Sequence, residues 1–218
     1  MSGLDAAPAK SGLRKDALRN IGQILNATGA LLRSDPAGAT MQAIADRANV
    51  SLATAYRYFP TLQSLHNEFL HSVVVNVRDY SLASQLSGKP LFRDIVTKWV
   101  QILDVYGKAM IQIRSRQGFL ERLDASDPVT TAITEVWERP IREVLREIGV
   151  SERFFRPALF LFNMIFDPRE IEDLRSTEGL PADEIVAVLS QAYFGAVLGW
   201  VSVQAADEST KDRSSADR

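Results

Sequence analysis

The stretch TMQAIADRANVSLATAYRYF, residues 40–59, reads as two short helices joined by a tight turn. Thr40 and Ser51 each stand where a hydroxyl can cap a helix by accepting a hydrogen bond from a free backbone N–H. Asn49 lies at the turn, and asparagine is one of the few residues besides glycine that accept a left-handed backbone. Pro60 ends the second helix. The pattern predicts a helix-turn-helix.

The two predicted helices have an inward face and an outward face. Small and apolar side chains on the inward face allow the helices to pack closely; they are Ile44, Ala45, Ala48, Val50 and Phe59. The outward face of the second helix combines side chains that reach phosphates with side chains that contact base edges or thymine methyls. It consists of Leu52, Ala53, Thr54, Tyr56, Arg57 and Tyr58. We expect this helix to enter the major groove of double-stranded DNA. The alternative is a helical hairpin with a solvated aromatic rim.

The composition is that of a soluble globular protein. The chain has 218 residues, of which 46% are hydrophobic and 24% charged. Since it has no cysteine, disulfides, thiol catalysis and cysteine-based metal sites are excluded. No apolar signal segment stands at the N-terminus, so a cytoplasmic location is expected.

The charges are distributed unevenly although the net charge is only −2. Residues 1–62 carry seven bases and four acids, and the remainder carries 18 bases and 23 acids. A basic N-terminal part favours a polyanionic partner, although a random scatter of charges would give the same imbalance.

Helical periodicity continues through almost the whole chain, which predicts an all-α protein of about nine helices. Breaks at SDPAG, SGKP and Asp127-Pro128 separate the predicted helices. The segment 167–179 is expected to be a polar connection with at most one turn of helix. The predicted organisation is a flexible arm over 1–13, a DNA-binding domain over 14–72, a second helical domain over 73–206 and a disordered tail over 207–218.

The last predicted helix has no charge from Ile185 to Ala206, which is long enough to span a membrane. Its polar residues and acidic flanks instead favour a helix that is buried inside the protein or against a second subunit. Gly195 and Gly199, one turn apart, would let a neighbouring helix approach closely. That neighbour is either the protein's own preceding helix or a second copy of the chain. The candidate dimer residues are Phe194, Gly195, Gly199 and Trp200.

Aromatic and large apolar residues recur at helical spacing between 99 and 166. Such a set usually forms an ordinary core, and the alternative is the lining of a small-molecule pocket. Pro140 should free a backbone carbonyl and kink its helix, which could widen a cavity. Arg114, Arg116 and Asn163 are the polar candidates for an acidic ligand. The pocket candidates are Trp99, Leu103, Tyr106, Met110, Phe119, Trp137, Phe162 and Phe166.

Catalytic and metal-binding motifs are absent from the sequence. His66 and His71 are five residues apart, so on a helix they diverge by about 140° and do not easily share a metal. The metalloprotease, phosphate-loop, dinucleotide and nucleophile-elbow patterns do not occur. We therefore expect no enzyme activity, no metal and no cofactor.

The N-terminal segment 14–65 resembles the TetR family of bacterial transcriptional regulators. The resemblance lies in both spacing and residue type. The matching positions are Thr40, Ile44, Ala45, Ala48, Val50, Ser51, Thr54, Tyr56, Tyr58, Phe59, Pro60 and Leu65.

The resemblance implies a ligand-responsive repressor. In that family a three-helix DNA-binding domain precedes a divergent all-helical ligand-binding domain, and the last two helices pair with a second copy in a four-helix bundle. A small-molecule effector releases the homodimer from a palindromic operator. A helical adaptor that has the fold but binds no operator is the alternative.

The resemblance also implies roles for individual residues. Thr40, Thr54, Tyr56 and Tyr58 match phosphate contacts, and the residues expected to face phosphates or bases are Ser51, Leu52, Ala53 and Arg57. Three positions depart from the family pattern. Asn49 replaces a glycine, Ala55 replaces a leucine, and Leu62 replaces a lysine near a phosphate.

Overall fold

The structure is a computed structural model that describes residues 8–112 and 115–203, with side chains from 15–111 and 115–203. The described residues form α-helices and one short 3-10 turn and contain no strand, which confirms the all-α class. The helices are α1 (Pro8–Ser34), α2 (Met41–Arg47), α3 (Leu52–Tyr58), α4 (Leu62–Ala83), α5 (Gly88–Gln112), α6 (Phe119–Asp124), α7 (Pro128–Glu147), α8 (Phe155–Ile165), α9 (Pro168–Ser176) and α10 (Ala182–Leu198).

Several helix boundaries differ from the expectations. The first helix begins at Pro8, so part of the expected flexible arm is helical, and residues 1–7 lie outside the described residues. Helical periodicity predicts one helix that ends near Gly107 and a second over about 108–123, but α5 continues through Gly107 to Gln112 and a separate short α6 follows. The expected polar connection contains α9, which Asp167 caps through the backbone N–H of Arg169. The predicted tail, 207–218, also lies outside the described residues.

The chain divides into two compact units between Leu70 and His71. The first unit has its own core, to which α1, α2, α3 and the start of α4 contribute. This core places the helix-turn-helix on a rigid base. Its buried residues are Ile24, Ala27, Met41, Ile44, Ala45, Ala48, Ala55, Phe59 and Leu65.

The turn between α2 and α3 has the geometry that its sequence predicts. Asn49 adopts a φ of 55°, in the left-handed region. The Asn49 N–H donates to the Asp46 carbonyl, and the Val50 N–H donates to the Ala45 carbonyl. This pair of bonds is the Schellman arrangement that ends many helices, usually with glycine at the left-handed position. Asparagine therefore serves where glycine was expected.

In the second unit α5 packs against α7, α9 and α10. Its centre is a cluster of six aromatic rings, five of which lie on α5, α7, α8 and α10, while the sixth, Phe166, lies just after α8. Neighbouring rings stack or meet edge to face, with Phe92 4.7 Å from Tyr193 and Trp137 3.8 Å from Phe162 between ring centroids. The members of this aromatic cluster are Phe92, Trp137, Phe162, Phe166, Tyr193 and Phe194.

Pro140 and its neighbour Arg139 attach the C-terminal end of α4 to α7. Pro140 has no N–H for the Val136 carbonyl one turn earlier, and the buried Ser81 hydroxyl donates to that carbonyl at 3.0 Å. The Arg139 guanidinium donates to the carbonyls of Ser84 at 3.0 Å and Leu86 at 2.7 Å. Backbone acceptors left over at the end of α4 and at the proline are thus satisfied between the two helices.

The next two turns of α7 fix the start of α5 in the same way. Glu143 accepts the Gly88 N–H at 2.8 Å, and Glu147 accepts the Lys89 N–H at 2.9 Å. The bond from the Lys89 backbone lowers the pKa of Glu147. Gly88 has a φ of 58°, and a Cβ there would lie 2.2 Å from the Glu147 carboxylate, so a larger residue would be strained at this position. One face of α7 therefore holds both ends of the α4–α5 connection.

Candidate nucleic-acid interface

Thr40 and Ser51 start the two helices of the motif as the sequence predicts. The Thr40 hydroxyl accepts the Ala43 N–H at 3.2 Å, and the Ser51 hydroxyl accepts the Thr54 N–H at 3.1 Å. The Ser51 hydroxyl also donates to the Thr54 hydroxyl at 2.9 Å. Capping uses acceptor capacity only, so the hydroxyl protons of Thr40 and Thr54 can still be donated to a phosphate oxygen.

The outward face of α3 is open to solvent. Ser51, Ala53, Tyr56 and Arg57 are exposed, with Tyr56 46% accessible. Thr54 and Tyr58 are half-buried at the edge of this face. Five of these side chains belong to the predicted outward face of α3, and the sixth, Ser51, is the cap that precedes the helix.

Leu52 does not belong to the outward face. It is half-buried and packs against the core of the first unit. The reason is its register, because Leu52 lies three residues before the buried Ala55 and seven before the buried Phe59. We therefore assign Leu52 to the packing of α3 rather than to a base contact.

Arg57 and Tyr58 contact each other at the end of α3. The Arg57 Nη2 donates to the Tyr58 hydroxyl at 3.1 Å, and the guanidinium carbon lies 4.9 Å from the centre of the Tyr58 ring. Hydrogen bonds from the side chain of Asn20, on α1, and from Arg57 lower the pKa of Tyr58. Asn20 was not among the sequence candidates, since its role depends on α1 packing next to the end of α3.

Ala55 and Leu62, the other two residues that depart from the family pattern, both contribute to packing in the first unit. Ala55 is fully buried, and partly buried side chains such as Ile21 and Leu25 pack against the core that contains it. Leu62, the first residue of α4, also packs against this core. Leu62 therefore makes an apolar contact at a position where the family pattern has a positively charged lysine.

The structure separates the pocket candidates into two groups. Trp137, Phe162 and Phe166 belong to the aromatic cluster, where each ring fills the space beside the others. The remaining candidates include the buried Phe119 on α6 and a row along one side of α5, in which Trp99 and Tyr106 are half-buried. That row is Trp99, Leu103, Tyr106 and Met110.

The three polar candidates for binding an acidic ligand do not lie together beside the α5 row. Arg114 lies outside the described residues, Arg116 is exposed, and Asn163 is half-buried on α8. The polar groups next to the α5 row are instead Asp104 and Arg175, whose side chains lie 2.5 Å apart.

The dimer candidates also divide into core and surface residues. Phe194 is 4% exposed and belongs to the aromatic cluster, so it does not lie on the surface that was expected. Trp200 is half-buried and stacks on Phe154, 5.5 Å away between ring centres. Gly195 and Gly199 are exposed, and a Cβ built on Gly195 meets nothing within 4 Å. Crowding by the protein's own helix therefore does not explain the glycine at position 195.

The last helix has a large uncovered face. Ala182–Val203 is long and apolar enough to cross a membrane by length and composition, and a third of it is buried. Such a helix is weak evidence for a membrane span, because the core helices of soluble proteins pass the same test.

Within the described side chains, no group of three or more histidines, aspartates and glutamates is placed to hold a metal.

Comparison with known proteins agrees with the helix-turn-helix. Residues 24–68 match the family model for bacterial regulatory proteins of the tetR family. The chain is also similar to the crystal structure of a tetR-family transcriptional regulator from Streptomyces coelicolor, with 17% identity and a TM-score of 0.58 over 86% of this chain and 84% of that one. At this identity the structural similarity shows a shared fold. No curated protein sequence matches the chain.

Proposed function

We propose that this chain is a homodimeric repressor of the TetR family of bacterial regulatory proteins, which binds a palindromic operator and is released by a small-molecule effector. It would act in the cytoplasm, where its DNA is. The observation that carries the proposal is the open face of α3 inside the segment that matches the family model.

The α3 face has the chemistry of a DNA-reading helix. Thr54 and Tyr56 can donate hydroxyl protons to phosphate oxygens, and Arg57 is the one charged residue of α3. Ala53 is exposed and small enough to allow close approach to a thymine methyl. The N-terminal caps that Thr40 and Ser51 provide, together with the packing of Leu52, keep this face in one orientation.

The uncovered sides of α8 and α10 support a homodimer. Phe160 and Met164 on α8 are 39% and 55% exposed, and Val188 and Leu198 on α10 are 48% and 55% exposed. An apolar surface of this kind is usually covered by a partner. The open space at Gly195 would admit a helix of the second copy at close range.

We place the effector beside the α5 row rather than inside the aromatic cluster. Trp99 and Tyr106 are half-buried, so the protein's core leaves part of each residue uncovered. Trp99 donates its indole N–H to the Phe166 carbonyl at 3.2 Å, which fixes that ring in place. An apolar wall with Asp104 and Arg175 nearby suits a mostly apolar effector with a few polar groups.

Selection of bound fragments from the organism's own DNA, beginning upstream of its own gene, tests operator binding. We expect an enriched sequence with two-fold symmetry that stays bound at about 200 mM salt. An adaptor that has the fold but binds no operator would enrich nothing. An enriched site without dyad symmetry would refute the homodimer part of the proposal.

A thermal-shift screen of small molecules, followed by operator release, tests the effector. Any ligand that binds the folded state raises the unfolding temperature. Trp99→Ala should abolish the shift, whereas Phe160→Ala, on the proposed dimer face, should leave it unchanged. A ligand that stabilises the protein without weakening operator binding would not be the effector.

A further inference from the structure

We propose that Tyr58 is a positioning residue for Arg57, holding its guanidinium ready to read a guanine in each operator half-site. This inference rests on the proposed operator binding. It assigns Tyr58 a role in specificity in place of the phosphate contact that its position in the motif implies.

Tyr58 is well anchored, whereas Arg57 depends on it. Tyr58 is half-buried and packs against the core of the first unit. Arg57 is exposed and makes two contacts with Tyr58, the 3.1 Å hydrogen bond to the hydroxyl and the 4.9 Å approach of its guanidinium carbon to the ring centre. A free arginine would lose much side-chain entropy on binding DNA, and an arginine held in advance loses less.

The hydroxyl of Tyr58 is oriented by two helices. Asn20 hydrogen-bonds it from α1, and Arg57 donates to it from α3. Both hydrogen bonds lower the pKa of Tyr58, as expected when the hydroxyl oxygen is the acceptor in each of them. The ring and its oxygen therefore form a fixed support, with the guanidinium on its solvent side.

The held guanidinium has the chemistry to recognise guanine. Arg57 has five N–H donors, of which one is used by Tyr58, and the others remain for the O6 and N7 acceptors of guanine in the major groove. Arg57 is also the one charged side chain of α3, so no other group on this helix competes for that role. Each half-site should contain one guanine whose replacement costs more than that of its neighbours.

A double-mutant cycle on the full-length protein tests the inference, using the selected operator and a variant operator in which each half-site guanine is replaced. Arg57→Ala should reduce discrimination between the two by about 10- to 100-fold. Tyr58→Phe keeps the ring and its packing but removes the hydroxyl. We expect it to reduce discrimination about 3- to 10-fold in the presence of Arg57.

The decisive comparison is Tyr58→Phe in the Arg57→Ala background. If Tyr58 acts only by positioning Arg57, the second substitution should not reduce discrimination between the two operators any further. If Tyr58 were a phosphate contact, its hydroxyl would matter equally in both backgrounds and on both operators, and that result would overturn the inference. Tyr56→Phe is the matched control, since Tyr56 lies on the same helix and should weaken binding to both operators alike. If the unaltered protein binds no operator, the proposed function fails instead.

Discussion

At the scale of single residues, the positions that depart from the family pattern carry the most information. Asn49 adopts the left-handed conformation that a glycine would, and Ala55 is enclosed in the core. Leu62 differs from both, because it replaces a charge that would act on DNA rather than on folding. Its packing against the core explains why a leucine is tolerated there.

Leu62→Lys should tighten operator binding by adding one cation near a phosphate in each subunit. The salt dependence of binding should steepen by roughly one unit per subunit, since each neutralised phosphate releases counterions. Some stability should be lost with the apolar contact, although the lysine stem can keep part of it. A salt titration of operator affinity measures the slope, and a slope equal to that of the unaltered protein would contradict the prediction.

His66 should make the first unit sensitive to mild acid. It is 7% exposed, its Nε2 has no hydrogen-bond partner, and burial lowers its pKa. As the pH falls below about 6.5, the unfolded chain takes up a proton before the folded protein does, so the free energy of unfolding falls. The fall is about 1.4 kcal/mol for each unit separating the two pKa values, and no change is expected above pH 7.

Urea unfolding at about pH 7.5 and pH 5.5 measures this effect. His66→Phe should remove most of the difference, and His71→Gln, at the half-buried second histidine, should keep it. A difference that survives His66→Phe would assign the acid sensitivity to other groups.

At the scale of elements, the short helices are stabilised mainly by caps at their ends, and the long helices by side chains that pack along their length. The seven-residue α2 and α3 depend on side-chain caps and on a shared core. The end of α4 depends on α7, through Ser81 and Arg139. Pro140 was expected to open a carbonyl, and the structure shows that the carbonyl is the acceptor for Ser81.

Arg139→Met should destabilise the protein by about 2 kcal/mol, since backbone carbonyls lose a charged donor and Glu143 loses its ion-pair partner. The exposed Arg146, on the same helix, supplies the control, and Arg146→Met should change stability by less than about 0.5 kcal/mol. Chemical denaturation of both variants gives the comparison. Equal stabilities would mean that Arg139 contributes nothing beyond an exposed arginine.

At the scale of the whole molecule, the uncovered face of α10 links the fold to assembly. Gly195→Leu should weaken the homodimer by tenfold or more, about 1.4 kcal/mol, while the isolated chain folds normally, because its own atoms leave that space open. Sedimentation at several concentrations measures the effect. Gly22→Ala on α1, at a glycine in equally open surroundings, should not change assembly. A Gly195→Leu protein that dimerises as before would place the interface elsewhere.

Local sequence signals were enough for the helix-turn-helix. The caps at Thr40 and Ser51, the left-handed Asn49 and the stop at Pro60 each act over three or four residues, so each could be read without knowing the rest of the fold. The continuous α5 and the helix α9 were harder, because a glycine or a polar segment only lowers helix propensity and tertiary contacts decide the outcome.

The sequence by itself therefore determined the all-α class, the turn and most of the outward face of α3. Only the tertiary structure decided which aromatic rings share one core, that Phe194 is buried while Gly195 is open, that Leu52 packs inward, and that Asn20 reaches Tyr58. The physical reason is range. Caps and turns depend on backbone groups a few residues away, whereas burial and ring contacts depend on which distant helices meet.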